Sequence, residues 1–295
     1  MTATLAGAVD DPRKAVVFAL GPGLVRVRAP NPSVMTATGT NSYLVGTSDL
    51  VAIDPGPDDP SHVEQLLALA AGRLRYVLVT HSHRDHAPGA RMLADATGVP
   101  LLGFGSAALV PDGALHDGDV VAIPGFRIEA VHTPGHASDH LCFLADREEA
   151  NSAERICFTG DHVMGGSTVV IMPPDGSMAA YLESLERLRE LERPITTIAP
   201  GHGEAITDPE RVLRRYLEHR RERERLVLEA LTDESRSPLE LVPEVYRALD
   251  PRLAVAAAGS LWAHLRKLGD DGLAWCCDDV DDREGRWRRV SATGD

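Results

Sequence analysis

The chain has 295 residues and a formal net charge of −14, with a sequence pI near 5.3. That balance argues against a whole surface built to grip nucleic acid through its phosphates. Hydrophobic residues at 43%, only 4% aromatic, suffice for one large α/β domain and a small one, and no run of eighteen apolar residues suggests a membrane span.

Residues 1–14 read as a loose tail. Residues 1–12 lack the basic stretch and apolar core of a secretory signal, so a cytoplasmic location is expected. Residues 24–27, 42–45 and 50–53 have the pattern of short strands separated by Gly, Asn and Asp turns. Helical spacing over 61–71 follows, with Ser61 as the expected cap. The apolar run 77–80 predicts a buried strand, and Thr80-His81-Ser82-His83-Arg84-Asp85-His86 leaves its end. Proline opens a helix over 88–96. Residues 120–123 and 126–131 form a hairpin around Pro124-Gly125 and run into Thr133-Pro134-Gly135-His136. Strands over 140–144 and 155–158 continue the sheet, the second ending in Gly160-Asp161. An amphipathic helix over 178–191 precedes Ile198-Ala199-Pro200-Gly201-His202-Gly203.

After residue 208 the character changes, which suggests domains at 1–208 and 209–295. A helix over 209–231 carries seven arginines from Arg211 to Arg225, read mainly as a solvated, ion-paired face. Helices over 238–246 and from 251, then strands over 273–277 and 286–290 joined by an acidic turn, give a winged-helix-like pattern. Asp278, Asp279, Asp281 and Asp282 on that turn would repel phosphate, so sequence-specific DNA binding is not expected.

Three imidazoles and a carboxylate within residues 81–86 serve no packing purpose. Neutral imidazole and carboxylate suit a borderline cation such as Zn²⁺, and also admit Fe or Mn. The adjacent Cys276 and Cys277 are poorly placed to bond to each other, and Cys142 and Cys157 read as core residues.

The HxHxDH, TPGH, GD and PGHG segments, in this order, resemble the metallo-β-lactamase superfamily over about residues 15–205. The resemblance implies an αββα sandwich with metals at one edge. It assigns His81, His83 and His136 to one ion, Asp85, His86 and His202 to a second, and Asp161 as the bridge. It also implies a binuclear zinc hydrolase whose metal-bridging hydroxide cleaves an ester-type bond. Asp85 would orient the nucleophile, and His140 would act beside the site as a supporting partner or proton shuttle. Asp54 in Ile-Asp-Pro-Gly would orient the histidine loop. Ser82 reads as spacing, His132 as a strand-end residue and His162 as pointing away from the metals. His62, His116, His219 and His264 read as surface or helix residues.

Two substrate classes stay open: a small-molecule acyl ester or thioester, and an RNA phosphodiester. The winged tail resembles the branch typified by beta-lactamase-like protein 2, a metal-dependent endoribonuclease, in which the arginine helix would meet phosphate. A non-enzymatic alternative is a metal-stabilised nucleic-acid-binding regulator. Residues 165–167 and 173–176 are candidate lid elements, and an oligomer is possible.

Overall fold

A computed structural model describes residues 16–148, 153–166 and 168–290. The tail 1–14 and Ser167 lie outside them. The described residues divide into two units, and the first comprises residues 16–133, 139–148, 153–166 and 191–209.

Its strands are β1 Val16–Gly21, β2 Leu24–Arg28, β3 Asn41–Gly46, β4 Leu50–Ile53, β5 Leu74–Leu78, β6 Leu101–Gly103, β7 Gly113–Ala114, β8 Val120–Ile123, β9 Phe126–His132, β10 Leu141–Arg147, β11 Arg155–Gly160 and β12 Thr197–Pro200. Strands β1 to β7 form one sheet in sequential order, antiparallel up to β4 and parallel beyond it. The second sheet runs β12-β11-β10-β9-β8, with β11 and β12 parallel. Tyr43, Val45, Val51, Ile53 and Leu78 of the first sheet share one core with Phe126, Ile128, Phe143 and Phe158 of the second. The opposite face of the first sheet buries Leu44, Ala52 and Val77 against Val63 and Leu66 of helix α1 (Pro60–Ala70) and Ala90 and Leu93 of α2 (Pro88–Thr97). Alternation in β3 and β4 thus feeds two cores at once.

Several boundaries differ from the sequence pattern, and two of the differences have a clear physical cause. Helix α1 begins at Pro60 and is capped by Asp59, whose carboxylate accepts the Ser61 and His62 N–H groups, so Ser61 is not the cap. Proline at the first helical position needs no partner for a missing N–H, which leaves the cap one residue earlier. Strand β5 ends at Leu78, before Thr80, because the Thr80 N–H is taken by the Asp54 carboxylate rather than by a neighbouring strand. Strands β1, β6 and β7 were not anticipated: two are too short for a periodic signal, and the outer residues of β1 are exposed.

The second unit comprises residues 134–138, 168–190 and 210–290. It holds helices α3 Met178–Arg189, α4 Pro209–Ala230 (from Glu210 onward), α5 Pro238–Val245 and α6 Ala254–Asp270, and the hairpin β13 Ala274–Cys276 with β14 Trp287–Arg289. Ser237 and Glu240 form a reciprocal capping box at the start of α5. Val227, Leu241, Val242, Leu261, Trp262, Leu265 and Trp287 make its core. His264 of α6 is fully buried, Lys267 pairs with Glu224, and Arg266 pairs with Asp281 of the wing. The helix that would read DNA thus spends its basic groups inside the unit.

Several α4 arginines are likewise structural. Arg220 is 2% exposed, donates to the Val169 carbonyl and lies 5.2 Å over the Tyr181 ring. Arg221 pairs with Glu186, Arg223 donates to the Val245 carbonyl, and Arg225 pairs with Glu222 and Glu229. The helix is therefore only partly the solvated face its sequence suggests.

Candidate metal centre

The loop after β5 is latched from beneath. Asp54, with φ of 48°, turns its carboxylate to accept the Thr80 N–H and hydroxyl, both at 2.7 Å, and His86 Nδ1 at 2.9 Å. Aspartate tolerates this left-handed conformation better than most side chains. Its carboxylate only accepts, so His86 Nδ1 donates, and in the neutral imidazole it is Nε2 that carries the lone pair. Thr80 spends its proton on Asp54 and accepts from His81 Nδ1 at 3.0 Å, which fixes the same tautomer there. His202 Nδ1 faces the Gly39 carbonyl at 3.3 Å. In the second unit, His136 Nδ1 donates to the Val170 carbonyl at 2.8 Å. Four imidazoles thus hold Nδ1 as donor and offer Nε2 as ligand.

In the first unit, His86 Nε2 lies 3.4 Å from Asp85 Oδ2 and 3.3 Å from Asp161 Oδ1. His202 Nε2 lies 3.1 Å and 3.2 Å from the same two oxygens. Ligands held tetrahedrally at zinc bond lengths are about 3.3–3.4 Å apart, so this set has the spacing and donor chemistry of a cation site. His86 Nε2 is buried without a protein hydrogen bond. His81, His83 and Asp161 present a further convergent set of ligand atoms, within 4.8 Å of one another.

The electrostatics agree. Burial works against charge on His86, yet Asp85, Asp161 and Asp54 hold its pKa well above 6.5. Burial likewise opposes charge on His202, but Asp161 and Asp85 lift it to about 9. Burial would raise the Asp161 pKa; His86 and His202 instead hold it well below the carboxylate range, and Asp85 is lowered in the same way by His86 and His202. A field that favours protons at these nitrogens also favours a divalent cation.

The Pro200–Gly203 turn is fixed by residues from β2 and β3. Tyr43 donates to the Pro200 carbonyl at 2.8 Å, Asn41 to the Pro200 and Gly203 carbonyls, and buried Arg26 to Gly203 at 3.2 Å. Gly201 admits no side chain, because a Cβ would lie 2.7 Å from the His86 ring and 2.8 Å from Asp161 Oδ1.

His140 falls outside both convergent sets. It is fully buried, with Nδ1 3.0 Å from the Thr133 hydroxyl and its ring 5.0 Å from that of His81. His132 stacks on Phe104 at the end of β9, and His162 packs 5.7 Å from His140, outside the ligand sets. His62 and His264 lie on helices but are fully buried, so neither is a surface residue. Sequence reasoning missed Asp139, whose carboxylate lies 3.5 Å from the Ser82 N–H, and Thr40, 3.2 Å from Asp85. Neither carried a local signal.

Residues 35–111 and 103–202 match the family described as Metallo-beta-lactamase superfamily, and residues 237–287 match the Beta-lactamase associated winged helix domain. Similar curated proteins include Lactamase-like protein adaB of Aspergillus niger, 33% identical over 84% of this chain and 80% of that protein. The Atrochrysone carboxyl ACP thioesterase of Aspergillus fumigatus is 35% identical over 73% of this chain and 67% of its own length. The Beta-lactamase-like protein 2 homolog of Drosophila melanogaster is 28% identical over 87% and 91%. A solved beta-lactamase domain protein from Burkholderia ambifaria shares the fold with a TM-score of 0.75 at 21% identity, over 98% of this chain and 97% of that one. No helix among the described residues is long and apolar enough to cross a membrane. The chain belongs to the metallo-beta-lactamase superfamily and is a metal-dependent hydrolase with a C-terminal winged-helix domain.

Proposed function

We propose that this hydrolase binds two zinc ions and cleaves an acyl thioester, of the kind carried by an acyl carrier protein or a small thiol. The observation that carries the reading is the double convergence of imidazole and carboxylate at Asp161. The family resemblance assigns His81, His83 and His136 with it to the first ion, and Asp85, His86 and His202 to the second; within the first unit, the ligand atoms of His81 and His83 and those of Asp85, His86 and His202 converge on it. Zinc suits the all-nitrogen-and-oxygen set; iron and manganese are the alternatives. Two such ions supply a water of lowered pKa and a positive field for a developing oxyanion.

The protein's own groups do the rest. Asp54 and Thr80 hold His86 and His81 in the ligating tautomer, and Asp161, buried between His86 and His202, sets the spacing of the two subsites. Asp85, partly exposed, orients the attacking water. His140, whose ring lies 5.0 Å from that of His81, is taken as a supporting partner or proton shuttle. The catalytic domain is taken as residues 1–208 and the winged-helix domain as 209–295.

A thioester is preferred over RNA for two reasons. The Atrochrysone carboxyl ACP thioesterase of Aspergillus fumigatus is 35% identical, and Arg220, Arg221, Arg223 and Arg225 have partners within their own unit. The ribonuclease reading keeps the support of the winged-helix match and the beta-lactamase-like protein 2 relative.

Metal analysis of the purified chain, with acyl thioesters and RNA offered as substrates, tests this. Two ions and thioester turnover are expected, with Asp161→Ala losing turnover by at least a hundredfold while unfolding cooperatively. Bound metal with no turnover of either class would favour the regulator, and an active Asp161→Ala would remove the bridging assignment.

A further inference from the structure

Thr40, just before β3, is fully buried, and among the described residues its hydroxyl is hydrogen-bonded to the side chains of Asn31 and Asp85. Oγ1 lies 2.9 Å from Asn31 Nδ2 and 3.2 Å from Asp85 Oδ2. The Thr40 N–H donates to Asn31 Oδ1 at 2.9 Å, which removes the usual ambiguity in orienting the amide. Asn31 Nδ2 can only donate, so it occupies the acceptor side of the hydroxyl, and the single proton of Thr40 goes to Asp85. The receiving oxygen, Oδ2, is the one that lies 3.1 Å from His202 Nε2 and 3.4 Å from His86 Nε2.

The backbone holds Thr40 in place. It bridges His202, its carbonyl accepts the Ala29 N–H at 2.8 Å, and the next residue donates to the Gly201 carbonyl at 2.7 Å. We propose that Thr40, locked by Asn31, is a positioning residue. It holds the Asp85 carboxylate with Oδ2 turned toward His86 and His202, and thereby sets the affinity of the second metal subsite. The inference rests on the binuclear reading above. Without the hydroxyl, Asp85 Oδ2 loses a hydrogen bond from outside the candidate ligand set and the second subsite holds a less firmly oriented anion, while the subsite of His81, His83 and Asp161 is untouched.

Zinc binding to the full chain, measured by competition with a chromogenic chelator, separates the possibilities without any substrate. Wild type and Thr40→Ser are expected to bind two ions alike. Thr40→Val is expected to bind the first normally and the second about 10–100-fold more weakly, with Asn31→Ala shifted in the same direction by less. If Thr40→Val fails to fold, Asn31→Ala carries the test, since it removes no contact to a ligand. Wild-type isotherms in both variants, or equal weakening at both subsites, overturn the role of Thr40 alone. A wild type that binds fewer than two ions overturns the binuclear reading as well.

Discussion

Asp54 Oδ2 lies 2.9 Å from His86 Nδ1, and the same carboxylate holds the backbone and hydroxyl of Thr80. One anion thus sets both the path of the loop and the tautomer of a candidate ligand. Asp54→Asn keeps the size and tolerates φ of 48°, but its amide can present a donor where His86 requires an acceptor. Metal affinity is expected to fall about 10–100-fold. Chelator competition checks it, and unchanged affinity would show that the latch does not govern His86.

Gly201 carries a second prediction. Alanine there would press on the His86 ring and on Asp161, neither of which can retreat freely: one is bonded to Asp54, the other packed between imidazoles. Gly201→Ala is expected to cost about 1–3 kcal/mol of stability through overpacking and to lower metal occupancy. Denaturant unfolding with and without chelator would reveal both; a variant as stable and as metal-rich as wild type would show that the turn can shift.

The candidate ligands were legible because each sits in a short stretch where no packing role competes: HxHxDH, TPGH, GD and PGHG. Asp54 was legible for a related reason, as a carboxylate between a strand and Pro-Gly. Thr40, Asn31 and Asp139 were not, since each matters only through a partner brought close by the tertiary fold, such as Asp85, 45 residues beyond Thr40. The arginines of α4 show the limit most clearly. Arg214 and Arg220 are equivalent in sequence, yet one is exposed and the other is buried over Tyr181. Burial of His62 and His264 was equally invisible, because a lone histidine on a helix gives no hint of what faces it.

That difference along α4 predicts opposite outcomes. Arg220→Ala removes a stacked guanidinium and leaves the Val169 carbonyl without its donor, so it is expected to destabilise the protein by about 2–4 kcal/mol. Arg214→Ala and Arg215→Ala, at exposed positions, are each expected to stay within about 0.5 kcal/mol and to leave thioester turnover unchanged. If RNA were the substrate, the Arg214/Arg215 double variant should instead flatten the salt dependence of cleavage. Urea unfolding and a salt series on the same proteins distinguish these cases.

His62 supplies the pH prediction. It is fully buried on α1, with Nε2 2.8 Å from the Ser42 hydroxyl, and burial lowers its pKa to about 4, outweighing the nearby Asp59 charge. The ordinary value in the unfolded chain is about 6.5. Between these values the unfolded state binds more protons than the folded one, so this residue's contribution is flat above about pH 6.5 and becomes destabilising as the pH falls toward 4. By pH 5 the loss amounts to roughly 2 kcal/mol. His62→Gln retains a polar partner for Ser42 but cannot take up a proton, so its urea midpoint is expected to fall less than that of wild type between pH 7.5 and pH 5. Parallel loss in the two proteins would place the acid sensitivity elsewhere, among the carboxylates that pair in the folded state.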